Sequence, residues 1–290
     1  MAGWWWWPYD CSSGGQWYTC YSMESASWTG SGSQHHNLQV SGWEFSEATG
    51  VGNGIKGGYV WTDDSGPDTY TFNAGVWLPP NDTFVNVQPA NVWRSIIQAA
   101  EGPRQFGWIF TNDSFTAHAA GWSGSAATCV DMNPPGYARS LLYGAGSDQQ
   151  VGITGSATTY QAGLWGGSAG SFRSLHPSDA TLSAAWACNG GYQVGELSTQ
   201  TTKRAVIWAG SPESMVDLNA LLPSGYASSA AYGVYVAKDG TVTVVGSAWS
   251  SATLREEAVM WVSAAAVVGD LDGDGSVGGA DLAILLGNWS

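Results

Sequence analysis

Residues 183–218 read SAAWACNGGYQVGELSTQTTKRAVIWAGSPESMVDL. They divide into four short segments with β propensity. Ser183-Ala-Ala-Trp-Ala187 comes first, and Asn189-Gly190-Gly191 turns the chain into Gln193-Val-Gly-Glu-Leu197. A polar loop over 198–203 leads to Arg204-Ala-Val-Ile-Trp208, and Gly210-Ser211-Pro212 leads to Met215-Val-Asp-Leu218. Gly, Asn, Ser and Pro supply the turn conformations, and the apolar runs between them supply strands.

The unit recurs. The same order appears over 140–175, with Gln150-Val151-Gly152 second and Ala162-Gly-Leu-Trp165 third. It appears again from Ser229, with Val244-Val245-Gly246 and Ala258-Val-Met-Trp261, while copies from Ser46 and Ser95 are more degenerate. Six tryptophans mark the period: Trp28, Trp77, Trp122, Trp165, Trp208 and Trp261, separated by 49, 45, 43, 43 and 53 residues. Three positions before five of them stands alanine (Ala74, Ala119, Ala162, Ala205, Ala258). Ten positions after each stands an apolar residue: Leu38, Val87, Met132, Leu175, Leu218 and Leu271. A period of this length marks a repeat architecture.

Four strands per unit predict an all-β propeller blade. A small sheet cannot bury both faces alone, and blades stacked about an axis bury face against face. The apolar run Ala205-Val-Ile-Trp208 suits a strand covered on both sides. Small residues in the first segment, such as Gly50, Gly144, Ala185 and Gly233, suit a crowded place nearest the axis. Five units count from Ser46. The segment before it offers Gln16-Trp-Tyr18, then 25–28, then 37–40 as second to fourth strands, with Trp4 to Trp7 as candidate first strand. The expectation is a six-bladed propeller of four-stranded blades over 1–268, or five blades if Trp4–Trp7 lies elsewhere. A C-terminal unit follows over 269–290.

Composition narrows the function. The net charge is −14, with only 9 Lys and Arg, which leaves no basic patch for phosphate backbones or anionic membranes. No apolar run approaches a membrane span. The start, MAGWWWWPYD, lacks the basic segment and long apolar stretch of a secretory signal, so an extracellular location needs a signal outside this chain. Cys11 and Cys20 could bridge a short N-terminal loop, whereas Cys129 and Cys188 sit in expected strands as free thiols or a bridge.

Ser229-Ala-Ala-Tyr-Gly-Val234, Asp239-Gly-Thr-Val-Thr-Val-Val-Gly246, Ala258 to Trp261, and Asp217-Leu218 together resemble the HAF-type repeats of bacterial extracellular proteins. His118-Ala119 keeps the first two letters of that name, with Ala120 where Phe would stand. The resemblance runs to about residue 268. It implies a secreted or cell-surface location in a bacterium and supplies no catalytic residues.

The sharpest chemical motif is Asp270-Leu-Asp272-Gly-Asp274-Gly275-Ser276-Val-Gly278-Gly-Ala-Asp281. Carboxylates at loop positions 1, 3 and 5 are hard oxygen ligands for Ca²⁺. Gly275 at position 6 permits the sharp turn, Ser276 offers its carbonyl, Gly278 leaves room for a water, and Asp281 closes the loop. Leu282, Leu285, Leu286 and Trp289 then share one face of a short helix. Asp rather than Glu at the closing position, followed by this helix, resembles a dockerin repeat. That likeness implies a cohesin-like or surface partner, although dockerins carry two such loops and one is present here. Leu271 also stands ten residues after Trp261, and Asp270-Leu271 mirrors Asp217-Leu218, so the last blade's outer strand leads into the loop.

Eighteen Trp suggest stacking on sugar rings. The periodic six read as packing residues, because a fixed register means fixed burial. Those off the period, namely Trp4–Trp7, Trp17, Trp43, Trp61, Trp93, Trp108 and Trp249, are the candidates for a binding surface. His35-His36 alternate across a strand and read as a polar loop, not a metal pair. Glu44 with Glu47, or Glu256 with Glu257, are the pairs a glycosidase reading would use. The expected role is binding of a glycan or other extracellular polymer. The alternatives are a polysaccharide hydrolase or lyase, and a structural or assembly protein.

Overall fold

A computed structural model describes residues 2–13, 16–29, 34–63, 70–111, 116–156, 159–199, 202–263, 279 and 282–284, with backbone alone for 2–13, 16–25, 27–29, 34–35, 63 and 70. Six antiparallel sheets follow one another along the chain. The first holds β1 (Ala2–Ser13), β2 (Gln16–Thr29) and β3 (Gln34–Asn37). The second holds β4 (Phe45–Gly52), β5 (Ile55–Asp63), β6 (Tyr70–Leu78) and β7 (Thr83–Asn86). The third holds β8 (Val92–Glu101), β9 (Arg104–Thr111), β10 (Ala117–Trp122) and β11 (Val130–Asp131). The fourth holds β12 (Arg139–Gly146), β13 (Gln149–Gly155), β14 (Tyr160–Trp165) and β15 (Arg173–Ser174). The fifth holds β16 (Leu182–Asn189), β17 (Tyr192–Ser198), β18 (Lys203–Trp208) and β19 (Val216–Asp217). The sixth holds β20 (Tyr226–Val236), β21 (Val242–Ser250) and β22 (Arg255–Val262). Each sheet is an up-and-down meander, and consecutive sheets pack face to face. This is a β-propeller with six blades.

Among the described residues, two blades show three strands instead of the expected four. In blade one, Gln16–Thr29 is a single strand paired with β1 from Gln16 to Ser27. The expected separate strands at 16–18 and 25–28 merge, because residues 18–25 contain no Gly, Pro or Asn to reverse the chain. Trp4 therefore pairs with Ser25, as Tyr59 pairs with Ala74 and Trp108 with Ala119. That register makes β1 the second strand of its blade, not the first. Blade six has its first three strands among the described residues.

Local chemistry explains the hairpins. Asn53-Gly54, Ser147-Asp148 and Gly190-Gly191 join first to second strands, and all six residues have positive φ. Two such residues in sequence match the twist of the flanking strands. The first strands converge. A Cβ on Gly144 would stand 2.5 Å from Trp186 O, and one on Gly50 would stand 2.8 Å from Ala100 N. Only glycine lets neighbouring backbones approach so closely. These strands are the innermost layer.

The tryptophan ladder fastens blade to blade. Trp77, Trp122, Trp165 and Trp208 are almost wholly buried. The indole Nε1 of Trp77 donates to Leu38 O at 2.9 Å, Trp122 to Val87 O at 3.1 Å, Trp165 to Met132 O at 3.0 Å, and Trp261 to Leu218 O at 3.0 Å. Each acceptor is the residue ten positions after the preceding tryptophan. Trp208 is buried in the same way, but its Nε1 has no protein partner. Within each blade that apolar residue also closes the outer strand: Val87, Met132, Leu175 and Leu218 N–H donate to Ala74, Ala119, Ala162 and Ala205 O.

A second fastening escaped the sequence reading. From blade two onward each first strand carries a buried serine, and in four cases the preceding blade's alanine N–H donates to it: Ala74 to Ser95, Ala119 to Ser140, Ala162 to Ser183, Ala205 to Ser229. The serine hydroxyl in turn bonds a polar side chain eleven residues after the preceding tryptophan: Gln39, Gln88, Asn133, His176 or Asn219. This clasp satisfies polar groups that the stacked faces would otherwise bury unpaired.

Candidate functional site

The off-period aromatics gather on one rim. This rim carries the starts of the first and third strands and the ends of the second. Phe45 pairs with Trp61, and Trp61 with Phe72, across three strands of blade two. The Phe45 and Trp61 rings stack at 4.0 Å, and Trp61 and Phe72 lie 5.8 Å apart. Cross-strand aromatic pairs of this kind stabilise a sheet while presenting ring faces and edges at its end. The array continues into blade three. The Arg94 guanidinium sits 3.8 Å over the Trp93 ring and 5.6 Å from Phe72. Trp93 approaches Phe110, and Phe110 meets Trp108 edge-on at 5.2 Å. Trp93 keeps 40% of its surface exposed. Trp249 occupies in blade six the register of Trp61 and Phe110, and is 40% exposed as well. By backbone register, Trp6 of β1 falls at the same level, opposite Met23.

The rim is not uniform. In blades four and five the same level carries Tyr160 and Lys203, opposite Gly155 and Ser198. Two residues inward along β17, Glu196 is buried and its carboxylate lies 3.0 Å from Lys203 Nζ. Burial pulls the Lys203 ammonium down, and its hydrogen bond and charge pairing with Glu196 outweigh that, leaving its pKa above the usual lysine range. In blade two the corresponding residue is Tyr59, whose hydroxyl donates to Glu47. Burial and the Glu47 carboxylate raise the phenol far above its ordinary value, so Tyr59 is a fixed donor.

Nearer the axis, a bulge in each first strand from blade two onward re-aims one side chain. The bulged residues at this shared level are Thr49, Gln98, Tyr143, Trp186 and Tyr232, while Trp93 and Ala227 bulge nearer the starts of their strands. The Tyr143 and Trp186 rings meet at 4.7 Å between blades four and five. Only the pairing register marks these positions as bulges.

The remaining candidates fall elsewhere. Glu44 is exposed ahead of β4, apart from Glu47 in its hydrogen bond with Tyr59. Glu256 accepts from Ser247 at 3.1 Å, while Glu257 accepts from Tyr226 at 2.8 Å and Thr253 at 2.6 Å. The Thr253 and Tyr226 hydroxyls hold Glu257 below the usual carboxylate range, which suits a structural acceptor. His118 Nδ1 lies 2.7 Å from Asp131 Oδ2. His176 and Ser183, at 2.7 Å, have the look of a nucleophile and base. Their counterparts in other blades are Gln–Ser and Asn–Ser pairs, so this is the clasp, not catalytic machinery.

Cys129 precedes β11 instead of lying within a strand, because a 3₁₀ turn (Ala126–Thr128) takes up the chain before it. Cys129 and Cys188 are free, and burial foremost pushes both thiols up to about 12, which makes them inert at neutral pH. Cys11 pairs with Tyr18 and Cys20 with Tyr9, so the two cysteines are diagonal neighbours across the first hairpin.

The calcium ligand candidates Asp270, Asp272, Asp274, Ser276, Gly278 and Asp281 lie outside the described residues, as does Leu271. Residues 279 and 282–284 are helical. Among the described residues there is no group of three His, Cys, Asp or Glu placed to hold a metal, and no helix long and apolar enough to cross a membrane.

No family model and no curated protein sequence matches the chain. Solved structures do match it in shape. The acylaminoacyl peptidase of Pyrococcus horikoshii aligns over 87% of this chain and 46% of its own, with TM-score 0.51 and 8% identity. TolB from Acinetobacter baumannii aligns over 84% of this chain and 60% of its own, with TM-score 0.48 and 9% identity. A chain of a nidogen/laminin complex aligns over 92% of this chain and 100% of its own, with TM-score 0.44 and 8% identity. This chain therefore spans about half the length of the peptidase. At such identity the likeness concerns the fold alone, and function has to be argued from the rim.

Proposed function

We propose that this protein is an extracellular binding propeller whose ligand is a glycan or a similar polymer, held on the aromatic rim. The observation that carries the reading is the Phe45–Trp61–Phe72 column continued by Arg94 and the exposed Trp93. Indole faces stack on the apolar faces of sugar rings, and Arg94 and Glu47 offer a donor and an acceptor for hydroxyls nearby. A rim several strands wide suits a chain-like ligand better than a small molecule. The C-terminal loop with Asp270, Asp272, Asp274, Ser276, Gly278 and Asp281 is proposed as a Ca²⁺ site and attachment motif, on the chemistry of its alternating carboxylates.

The test is a polysaccharide binding panel run beside an assay for released reducing ends. Binding without product release is expected. Trp93→Ala combined with Trp61→Ala should weaken it at least ~10-fold, about 1.4 kcal/mol. Release of oligosaccharide would overturn the reading in favour of a hydrolase or lyase. For the metal, calorimetry should detect Ca²⁺ heat in the native chain and none in an Asp272→Ala, Asp274→Ala variant. An unchanged isotherm would rule the loop out.

A further inference from the structure

Blade five carries an ion pair at a corner that its neighbours build without one. Glu196 stands opposite Ala205 in the pairing of β17 with β18, and Lys203 opens β18. In blades two, three, four and six the position of Glu196 holds Tyr59, Trp108, Ile153 and Ser247, each opposite the alanine three places before the tryptophan. The position of Lys203, five places before the tryptophan, holds Phe72, Ala117, Tyr160 and Glu256. Blade four thus forms the same corner from Ile153 and Tyr160, with no charge. A carboxylate taken out of water costs several kcal/mol unless a partner offsets it, and apolar residues of similar volume often serve a fold as well. Packing alone gives no reason for the pair in blade five.

Its placement does. Glu196 keeps 4% of its side-chain surface and Lys203 keeps 48%, so the anion is hidden and the cation faces the rim. Tyr160 of blade four and the half-exposed Tyr232 of blade six lie near enough that their phenols also favour the charged lysine. The corner therefore presents ammonium N–H donors beside two tyrosines, with the charge cancelled from beneath. Elsewhere on the rim Arg94 lies over the Trp93 ring, and Arg255 Nε is 3.8 Å from Glu257 Oε1. Arg139, which opens β12, is set against the exposed Glu44 and Glu256. In a chain of net charge −14 such a rim carries no positive field to draw a polyanion.

We infer that the Glu196–Lys203 pair fits the rim to uncharged polysaccharide: Lys203 donates to ligand hydroxyls, and Glu196 cancels the charge that would attract carboxylated chains. This inference rests on the polymer reading above and narrows it to neutral chains.

Calorimetry on the full chain with neutral glucan, mannan and xylan, and with polygalacturonate, tests it. The native protein should bind one of the neutral polymers at least ~10-fold more tightly than polygalacturonate at low ionic strength, where charge effects are largest. Glu196→Gln keeps the shape and uncovers the lysine charge. It should bind polygalacturonate at least ~10-fold more tightly than the native protein does, and added salt should erase the gain. Native binding of polygalacturonate as tight as that of any neutral polymer, or no gain in Glu196→Gln, would overturn the charge role. A second variant, Glu196→Ile with Lys203→Tyr, copies the corner of blade four. It should melt within a few degrees of the native protein and bind the neutral polymer at least ~5-fold more weakly. Failure of this variant to fold would make the pair structural, and unchanged neutral binding would remove Lys203 from the ligand, so either result overturns the inference. Silence of the native protein toward every polymer would instead sink the polymer reading itself, and this inference with it.

Discussion

Blades five and six are built from the same repeat and meet different surroundings. In blade five, Val194 and Ala205 have no exposed surface, because blade six lies over them. The residues at the same register in blade six are Val245, 47% exposed, and Ala258, also exposed, with Met260 beside them at 65%. Strand, pairing and residue type are alike. Only the neighbour differs, so a repeat residue stabilises the fold through the blade that covers it and not through its own strand.

The largest expected effect separates the two tryptophans. Trp208→Ala should cost about 3–5 kcal/mol, the range for emptying a fully enclosed aromatic site. Trp261 is 9% exposed and lines an apolar groove of about 400 Å³, so Trp261→Ala should fall clearly below that value. Urea denaturation of both variants measures the gap, and equal losses would mean that the last blade is as enclosed as the fifth. A smaller contrast comes from one hydroxyl. Val194→Thr buries an unpaired polar group and should cost about 1–3 kcal/mol. Val245→Thr sits on the exposed face and should change stability by less than about 0.5 kcal/mol. A full penalty at Val245 would show that this face is covered in solution.

The smallest effect concerns pH. Burial lowers the pKa of His176 in the clasp, so the folded protein holds it neutral while the unfolded chain takes up a proton near pH 6.5. Stability present above that pH is lost as pH falls from about 6.5 toward the depressed folded value. His176→Asn restores the residue type of the clasps at Asn133 and Asn219 and should flatten this dependence. Thermal melts between about pH 7 and 5 would read it. An unchanged slope in the variant would place the titration elsewhere.

Much of this architecture was legible in the chain because burial is periodic. The tryptophan spacing gave six units, although the placing of Trp4–Trp7 left six or five blades open, and the apolar residue ten places on gave the outer strand. The polar residues eleven places on were just as regular in position. They escaped notice because Gln, Asn and His do one job there, accepting or sharing a proton with a serine, under different side-chain identities. Blade one misled the reading for the opposite reason. A polar stretch without a turn residue can extend one strand as easily as it can join two. The aromatic rim was readable only as a set of tryptophans off the period, with no indication that Trp61, Trp93, Trp108 and Trp249 lie at one end of the sheets.

By itself, the sequence determined the repeat, the strand order of the regular blades and the tryptophans that fasten blade to blade, because these rest on contacts recurring at fixed offsets. Only the tertiary structure decided which copies of a repeated residue are enclosed, which bulged side chains meet near the axis, and which aromatics share a rim. Those depend on what the next blade brings, and no local pattern encodes the presence or absence of a neighbour.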